Sequence, residues 1–218
     1  DYDYHYLTAT AINHTNLWRF ELHSRAFLRI GTGSNQAPES ALFLAGANPE
    51  ELMDQPLVRS IGYVPPAWVG SYGAGTNHFQ QGGGLNLRGY AGYYVVEEDG
   101  GQTYKAYKGQ SGGAINLELD FDGLVKWQPK KLSKYFKLDT YLFGDAGMIV
   151  YDASGDKAFS NLRMDAGAGL ALTIKKFGPL ETVKPLTLRF DVPFYLSHAP
   201  FDEENVQFRF VIGVSRAF

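Results

Sequence analysis

A two-residue alternation of polarity, sustained over stretches long enough to cross a bilayer, constrains this chain more than any other feature. Between residues 186 and 196, Leu186, Leu188, Phe190, Val192, Phe194 and Leu196 fall on one face, while Thr187, Arg189, Asp191 and Tyr195 fall on the other. Residues 17–30 repeat the pattern: Trp18, Phe20, Leu22, Ala26, Leu28 and Ile30 oppose Arg19, Glu21, His23, Arg25, Phe27 and Arg29. Period two belongs to β-strands, whose successive side chains leave opposite faces of a sheet. Two faces so unlike in polarity need two different solvents. In a soluble sandwich the charged face meets bulk water; in a membrane barrel it lines a wet lumen while the apolar face meets lipid. Three segments carry about six apolar residues on one face over ~11 to 13 positions, the length a tilted strand needs to cross hydrocarbon. The pattern therefore favours a transmembrane barrel over a soluble sandwich.

The alternation recurs along the chain. Residues 2–12 place Tyr2, Tyr4, Tyr6, Thr8, Thr10 and Ile12 opposite Asp3, His5, Leu7, Ala9 and Ala11, and a polar turn is expected at His14, Thr15 and Asn16. Further on, Ile115, Leu117, Leu119 and Phe121 oppose an acidic row of Asn116, Glu118, Asp120 and Asp122. The stretch 136–151 reads as a strand interrupted by Phe143-Gly144-Asp145-Ala146-Gly147, a carboxylate between two glycines of the kind that mark close approach of other protein. After a loop expected over 152–160, Leu162, Met164, Ala166, Ala168, Leu170, Leu172 and Ile174 face away from Arg163, Asp165, Gly167, Gly169 and Thr173. The last strand sets Val206, Phe208, Phe210, Ile212, Val214 and Phe218 against Gln207, Arg209, Gly213 and Ser215. Arg216 lies on the apolar face one step before the end, where its long side chain can snorkel to the interface.

Residues 31–113 form an insert far longer than an ordinary connection, so it is expected to be organised and functional. A helical turn is expected near Asn48, with Pro49 at its first position. The Pro65-Pro66 pair bars a central strand there. A tyrosine-rich hairpin is expected between residues 93 and 107 around Asp99-Gly100-Gly101. Between these lies Gly82-Gly83-Gly84-Leu85-Asn86-Leu87-Arg88-Gly89-Tyr90. Its glycines permit tight backbone geometry, and Arg88 carries a rigid, permanently charged donor fork that calls for a carboxylate.

The net charge of −3 carries no polyelectrolyte signature, which argues against a nucleic-acid partner. Without cysteine the chain has no disulfide or thiolate metal site. No apolar run reaches the ~18 residues of a transmembrane helix, a limit that does not apply to alternating barrel strands. The histidines His5, His14, His23, His78 and His198 show no ligand spacing such as HExxH, so no metal site and no cofactor are expected. Ser71 and Ser111 lack a nucleophile elbow, and Gly82-Gly83-Gly84 lacks the strand-to-helix setting of a phosphate loop. The paired carboxylates Glu118 and Asp120 read as wall polarity. Catalysis within this segment is not expected.

Short turns near His14, Pro129 and Gly178 fall on one side of the sheet; the insert and the loops near Gly155 and Pro200 fall on the other. The count is about seven crossings, whereas bacterial single-chain barrels close with an even number. The whole chain, 1–218, is accordingly expected to be the C-terminal portion of one longer barrel, paired with further strands before Asp1.

These motifs resemble, in order and spacing, the C-terminal half of barrels in the BamA and two-partner-secretion (bacterial surface antigen) superfamily. Leu87-Arg88-Gly89-Tyr90 is similar to the signature at the tip of an extracellular loop folded into the lumen. Phe143, Asp145 and Gly147 are similar to the wall element that receives the arginine. Gly167 to Leu170, the Gly178-Pro179-Leu180 turn, Arg189 to Pro193 and the terminal Phe218 resemble its closing strands. The resemblance implies a loop latch of Leu87, Arg88, Gly89, Tyr90, Phe143, Asp145 and Gly147, in which Arg88 pairs with Asp145 and Tyr90 packs beside Phe143. It also implies a terminal assembly signal involving Phe208, Phe210, Arg216 and Phe218. The expected location is the bacterial outer membrane, with lipid bilayer, lipopolysaccharide, client polypeptides and accessory outer-membrane or periplasmic proteins as partners.

The implied function is membrane-protein assembly or polypeptide export. The glycine-rich insert is also similar to barrels attached to large Bacteroidetes surface proteins, some with an upstream aminopeptidase domain. That likeness supplies the alternative of an anchoring or export barrel for an upstream enzyme. A soluble β-sandwich binding module is the remaining alternative and requires that no lipid-facing band exist.

Overall fold

The computed structural model describes residues 2–53, 79–80, 82–91, 95–121, 133–175, 185–199, 204–206 and 208–214. In chain order its strands are β1 (Asp3–Leu17), β2 (Phe20–Asn35), β3 (Leu42–Phe43), β4 (Phe79–Gln80), β5 (Val96–Asp99), β6 (Gln102–Lys105), β7 (Lys108–Gly109), β8 (Ser111–Asp120), β9 (Phe136–Ala153), β10 (Asp156–Phe159), β11 (Arg163–Ile174), β12 (Leu186–Leu196) and β13 (Val211–Val214). Among the described residues, one helix, α1 (Pro49–Met53), and two 3₁₀ turns, Pro38–Ser40 and Arg88–Tyr90, interrupt them.

Seven strands, β1-β2-β8-β9-β11-β12-β13, lie side by side in sequence order. Each neighbouring pair is antiparallel. This is the up-and-down order expected from the alternation. The sheet is open, with β1 at one end; at the other, β4 from the insert pairs in parallel with β13.

The polarity of the sheet is inverted relative to a water-soluble protein, in which charges are seldom buried without partners. Arg25, Arg29, Asn116, Glu118, Asp120, Asp139, Asp145, Arg163, Asp165, Arg189 and Asp191 are buried on one face. Leu28, Ile30, Ile115, Leu117, Leu142, Met164, Leu170, Leu172, Leu188 and Phe190 stand exposed on the other. An apolar surface running across five strands far exceeds the scattered hydrophobics normal on a monomer. The insert covers part of the polar face, meeting Arg25, Arg29, Asn116, Glu118, Asp145 and Arg163.

Local chemistry sets several element boundaries. Glu51 N–H donates to Asn48 Oδ1 at 2.8 Å and Asn48 N–H donates to Glu51 Oε2 at 2.9 Å, a reciprocal capping box that starts α1 where Pro49 was expected to open a helical turn. The hairpin β5–β6 turns at Gly100-Gly101, both with positive φ (57° and 77°), within the span expected for it.

Several features differ from the sequence reading, among them the last strand, which was expected from Val206 and is strand only over Val211–Val214 among the described residues. The turn expected at His14, Thr15 and Asn16 is strand: β1 continues to Leu17, and a two-residue connection, Trp18-Arg19, joins β2. Trp18 takes φ 61° there, and Arg19 lies 4.6 Å over its ring. The loop expected over 152–160 is instead a strand extension, β9 pairing β10 around Ser154-Gly155, each with positive φ. Leu196, expected on the apolar face, is wholly buried on the polar side. Pairing of β11 with β12 jumps from Ala166↔Tyr195 to Gly167↔Pro193, so one extra residue inverts the alternation beyond it. Pro193 sits at that irregularity, a position where a strand tolerates proline.

The expected turns at Pro129 and Gly178, the Pro65-Pro66 segment, and the terminal residues Arg216 and Phe218 lie outside the described residues. Phe208 is exposed, and Phe210 stacks on Phe190 of β12 at 5.5 Å between centroids.

Candidate functional site: a loop tip held against the polar wall

The backbone from Gly82 to Asn86 delivers the loop tip. Gly82, Gly83, Gly84 and Asn86 all take positive φ (65°, 89°, 52° and 58°), so the chain turns sharply in the left-handed region that glycine enters at least cost. At Gly84 a Cβ would lie 2.5 Å from the Phe43 carbonyl oxygen, so the position needs glycine on both counts. Leu85 and Leu87 N–H groups then donate to the carbonyls of Phe43 and Leu44, each at 3.0 Å. Both leucine side chains are fully buried with Leu42, Leu44 and Ile149. Leu87 reaches Gly147 of β9, where a Cβ would stand 2.9 Å from Leu87 Cδ1.

Arg88 follows, with no exposed surface. Its Nε donates to Asp145 Oδ2 at 2.8 Å and its Nη2 to Asp145 Oδ1 at 3.0 Å, a two-pronged pairing that fixes orientation as well as charge. The backbone N–H of Arg88 also donates to Asp145 Oδ2, at 3.2 Å. Nη1 donates to Glu118 of β8, and the guanidinium carbon lies 3.9 Å over the ring of Phe143. One arginine thus meets two carboxylates from adjacent strands and an aromatic face. Taking these charges out of water is tolerable only because each is paired and the remaining donors and acceptors are engaged.

Neighbouring groups hold Asp145 in turn. Asn116 Nδ2 donates to Asp145 Oδ1 at 3.1 Å and to the carbonyls of Leu85 and Asn86 at 3.2 and 3.1 Å. Arg25 of β2 donates to Asn116 Oδ1 and to the Gly84 carbonyl, both at 2.8 Å. Wall and loop are therefore knitted through three strands rather than through one pair.

Gly89 closes against β11. A Cβ at this position would lie 2.6 Å from Asp165 Cβ, so a side chain would push the tip off the wall. Tyr90 continues to the next strands: its hydroxyl donates to the Met164 carbonyl at 3.3 Å and shares a hydrogen bond with Ser197 Oγ at 3.2 Å. The His198 N–H donates back to the Tyr90 hydroxyl at 3.3 Å. Burial pushes the Tyr90 hydroxyl pKa up. Burial, with the positive charge of Arg163 nearby, pushes the His198 imidazole down.

All seven residues expected to form the latch converge, with one change of partner. Phe143 lies under Arg88 and clusters with Tyr141 and Ala171, whereas Tyr90 packs with Leu85, Leu87, Val95 and Leu196. The aromatic expected beside Tyr90 serves the arginine instead. Phe143 and Tyr141 also explain two glycines of β11, since Cβ atoms at Gly167 and Gly169 would fall 2.5 and 2.4 Å from their rings.

A second tether was not anticipated from the sequence. Arg163 of β11 donates from Nη2 to Glu97 Oε1 at 2.6 Å and to the Val96 carbonyl at 2.8 Å. Asn161 adds hydrogen bonds to both Glu97 oxygens, from its backbone N–H at 3.2 Å and its Nδ2 at 2.7 Å. Here the loop contributes the carboxylate and the wall the arginine. Glu118, read from sequence as wall polarity, is likewise a direct partner of Arg88.

No protein-family model matches the chain, and no curated protein matches it.

Proposed function

We propose that this chain is the wall of an outer-membrane β-barrel of the BamA-like superfamily, in which the long insert is latched inside the lumen, and that the barrel serves outer-membrane protein assembly or polypeptide translocation. The observation that carries the reading is Arg88, wholly buried on the polar face against Asp145 and Glu118, opposite an apolar face that stands exposed on strands β2 to β12. Lipid is the solvent that suits such an outer face, and an antiparallel wall of alternating strands is how a sheet meets it. A soluble sandwich would cover its apolar face with a second sheet, and no such layer exists among the described residues.

The absence of native cysteine makes a direct test straightforward. Single substitutions Ile115→Cys, Leu170→Cys and Phe190→Cys in the full-length protein should resist a water-soluble maleimide in intact outer membranes, while Trp18→Cys at the β1–β2 turn should react once the periplasm is opened. Reaction at all four sites, with the protein soluble without detergent, would dismiss the membrane reading. For the role, conditional depletion should lower the amount of heat-modifiable, folded barrels of other outer-membrane proteins, or block export of a defined polypeptide. Loss only of a domain carried on the same polypeptide would instead favour an anchor.

A further inference from the structure

We propose that His14, Glu21 and His23, with Asp120 beside them, form a binding site for one divalent transition-metal ion of the zinc class at the turn end of the β1–β2 hairpin. The pairing register builds it. His14 of β1 lies directly opposite His23 of β2, and Glu21, two residues from His23, projects from the same face. Asp120 of β8 pairs with Glu21 across the next strand boundary. The two imidazoles meet edge to face, 4.4 Å between centroids and 89° between planes. One ligand atom from each of His14, Glu21 and His23 lies within 4.8 Å of the others.

The geometry around His23 points to an ion rather than to hydrogen bonding. Its Nε2 is buried and makes no hydrogen bond among the described residues. The neighbouring carboxylate oxygens stand at 3.5 Å for Asp120 Oδ2 and 3.6 Å for Glu21 Oε1, on the long side for a hydrogen bond. Two ligands each bound to a tetrahedral zinc at about 2.1 Å are separated by about 3.4 Å, so both gaps match the spacing of groups that share an ion. His14 is exposed. Two neutral imidazoles and two carboxylates would also balance a doubly charged ion, a donor set that suits zinc, cobalt or nickel better than magnesium or calcium.

The site depends on strand register and not on the membrane reading. The competing reading is an ion-free cluster in which His23 packs against His14, Glu21 and Asp120. The full-length protein, purified without a histidine tag, should retain about one zinc per chain after dialysis, consistent with a structural site. Replacement by cobalt should give the intense visible band of tetrahedral coordination. His23→Ala should weaken zinc by more than about 10-fold, a loss that even outer-shell partners can cause. His14→Ala and Glu21→Gln act at exposed positions and should weaken it without changing the far-ultraviolet circular dichroism. His5→Ala and His198→Ala should leave it unchanged. The proposal is overturned if the wild type retains no zinc, if cobalt shows only the weak octahedral band, or if the folded His14→Ala variant binds as tightly as wild type; any of these would leave the ion-free cluster.

Discussion

Two tethers fasten the same insert to the same wall with their charges reversed. At the tip, the loop supplies Arg88 and the wall supplies Asp145 and Glu118; at the hairpin, the loop supplies Glu97 and the wall supplies Arg163. The tip is fully enclosed, and its guanidinium is paired on both sides and underneath. Glu97 and Arg163 each retain 6% side-chain exposure and lean partly on backbone and on Asn161. The more completely a charge is enclosed, the more its removal strands the groups left behind. The tip should therefore act as the principal lock and the hairpin tether as a secondary one that sets the loop's outer part.

The largest expected effect is at Arg88. Arg88→Ala leaves the buried Asp145 and Glu118 without their shared counter-charge and should cost about 3–5 kcal/mol in urea unfolding of the detergent-solubilised protein. Gly89→Ala comes next, since its new methyl group meets Asp165 Cβ at 2.6 Å; overpacking of this kind costs about 1–3 kcal/mol, and a neutral result would mean the tip does not touch β11. Glu97→Ala should cost about 1–3 kcal/mol, because Arg163 loses a charge-assisted partner but keeps the Val96 carbonyl. Limited proteolysis at the Gly100-Gly101 turn should speed up in that variant while the Arg88 region stays protected; equal loosening of both regions would erase the distinction between the tethers. The smallest effect is at the α1 cap, where Asn48→Ala should cost about 1 kcal/mol.

The two tethers were not equally readable in the chain. Arg88 and Asp145 stand out because glycines lie beside them, Gly89 after the arginine and Gly144 and Gly147 around the carboxylate. Glu97 and Arg163 sit in ordinary strand sequence, Val96-Glu97-Glu98-Asp99 and Leu162-Arg163-Met164, where alternation explains each charge without naming its partner. Only the fold of residues 95–109 over the wall brings them together. The pairing of His14 with His23 is hidden for a related reason: the two have no ligand spacing along the chain, and their meeting requires the turn to fall at Trp18-Arg19. A turn placed at His14 itself removes that register.

The strands and their order were legible because each long strand keeps one polarity per face. Alternation is blind to a single inserted residue, however, which is why Leu196 emerges on the opposite side after the irregularity at Pro193. It is equally blind to a polar turn that pairs, as at Asn13 to Asn16 and at Asp156 to Phe159. Hydrogen-bonded extensions beyond the apolar band carry polar residues on both faces, and their composition resembles that of loops.

The most direct test of the lock is a double-mutant cycle between Arg88 and Asp145, measured by urea unfolding in detergent or lipid. Arg88→Ala and Asp145→Ala should each be severely destabilising, and the double variant should be little worse than either, giving a coupling close to the loss of one single variant, about 3 kcal/mol or more, at or above the top of the range typical of residues in contact. Strict additivity of the two losses would contradict an Arg88–Asp145 latch.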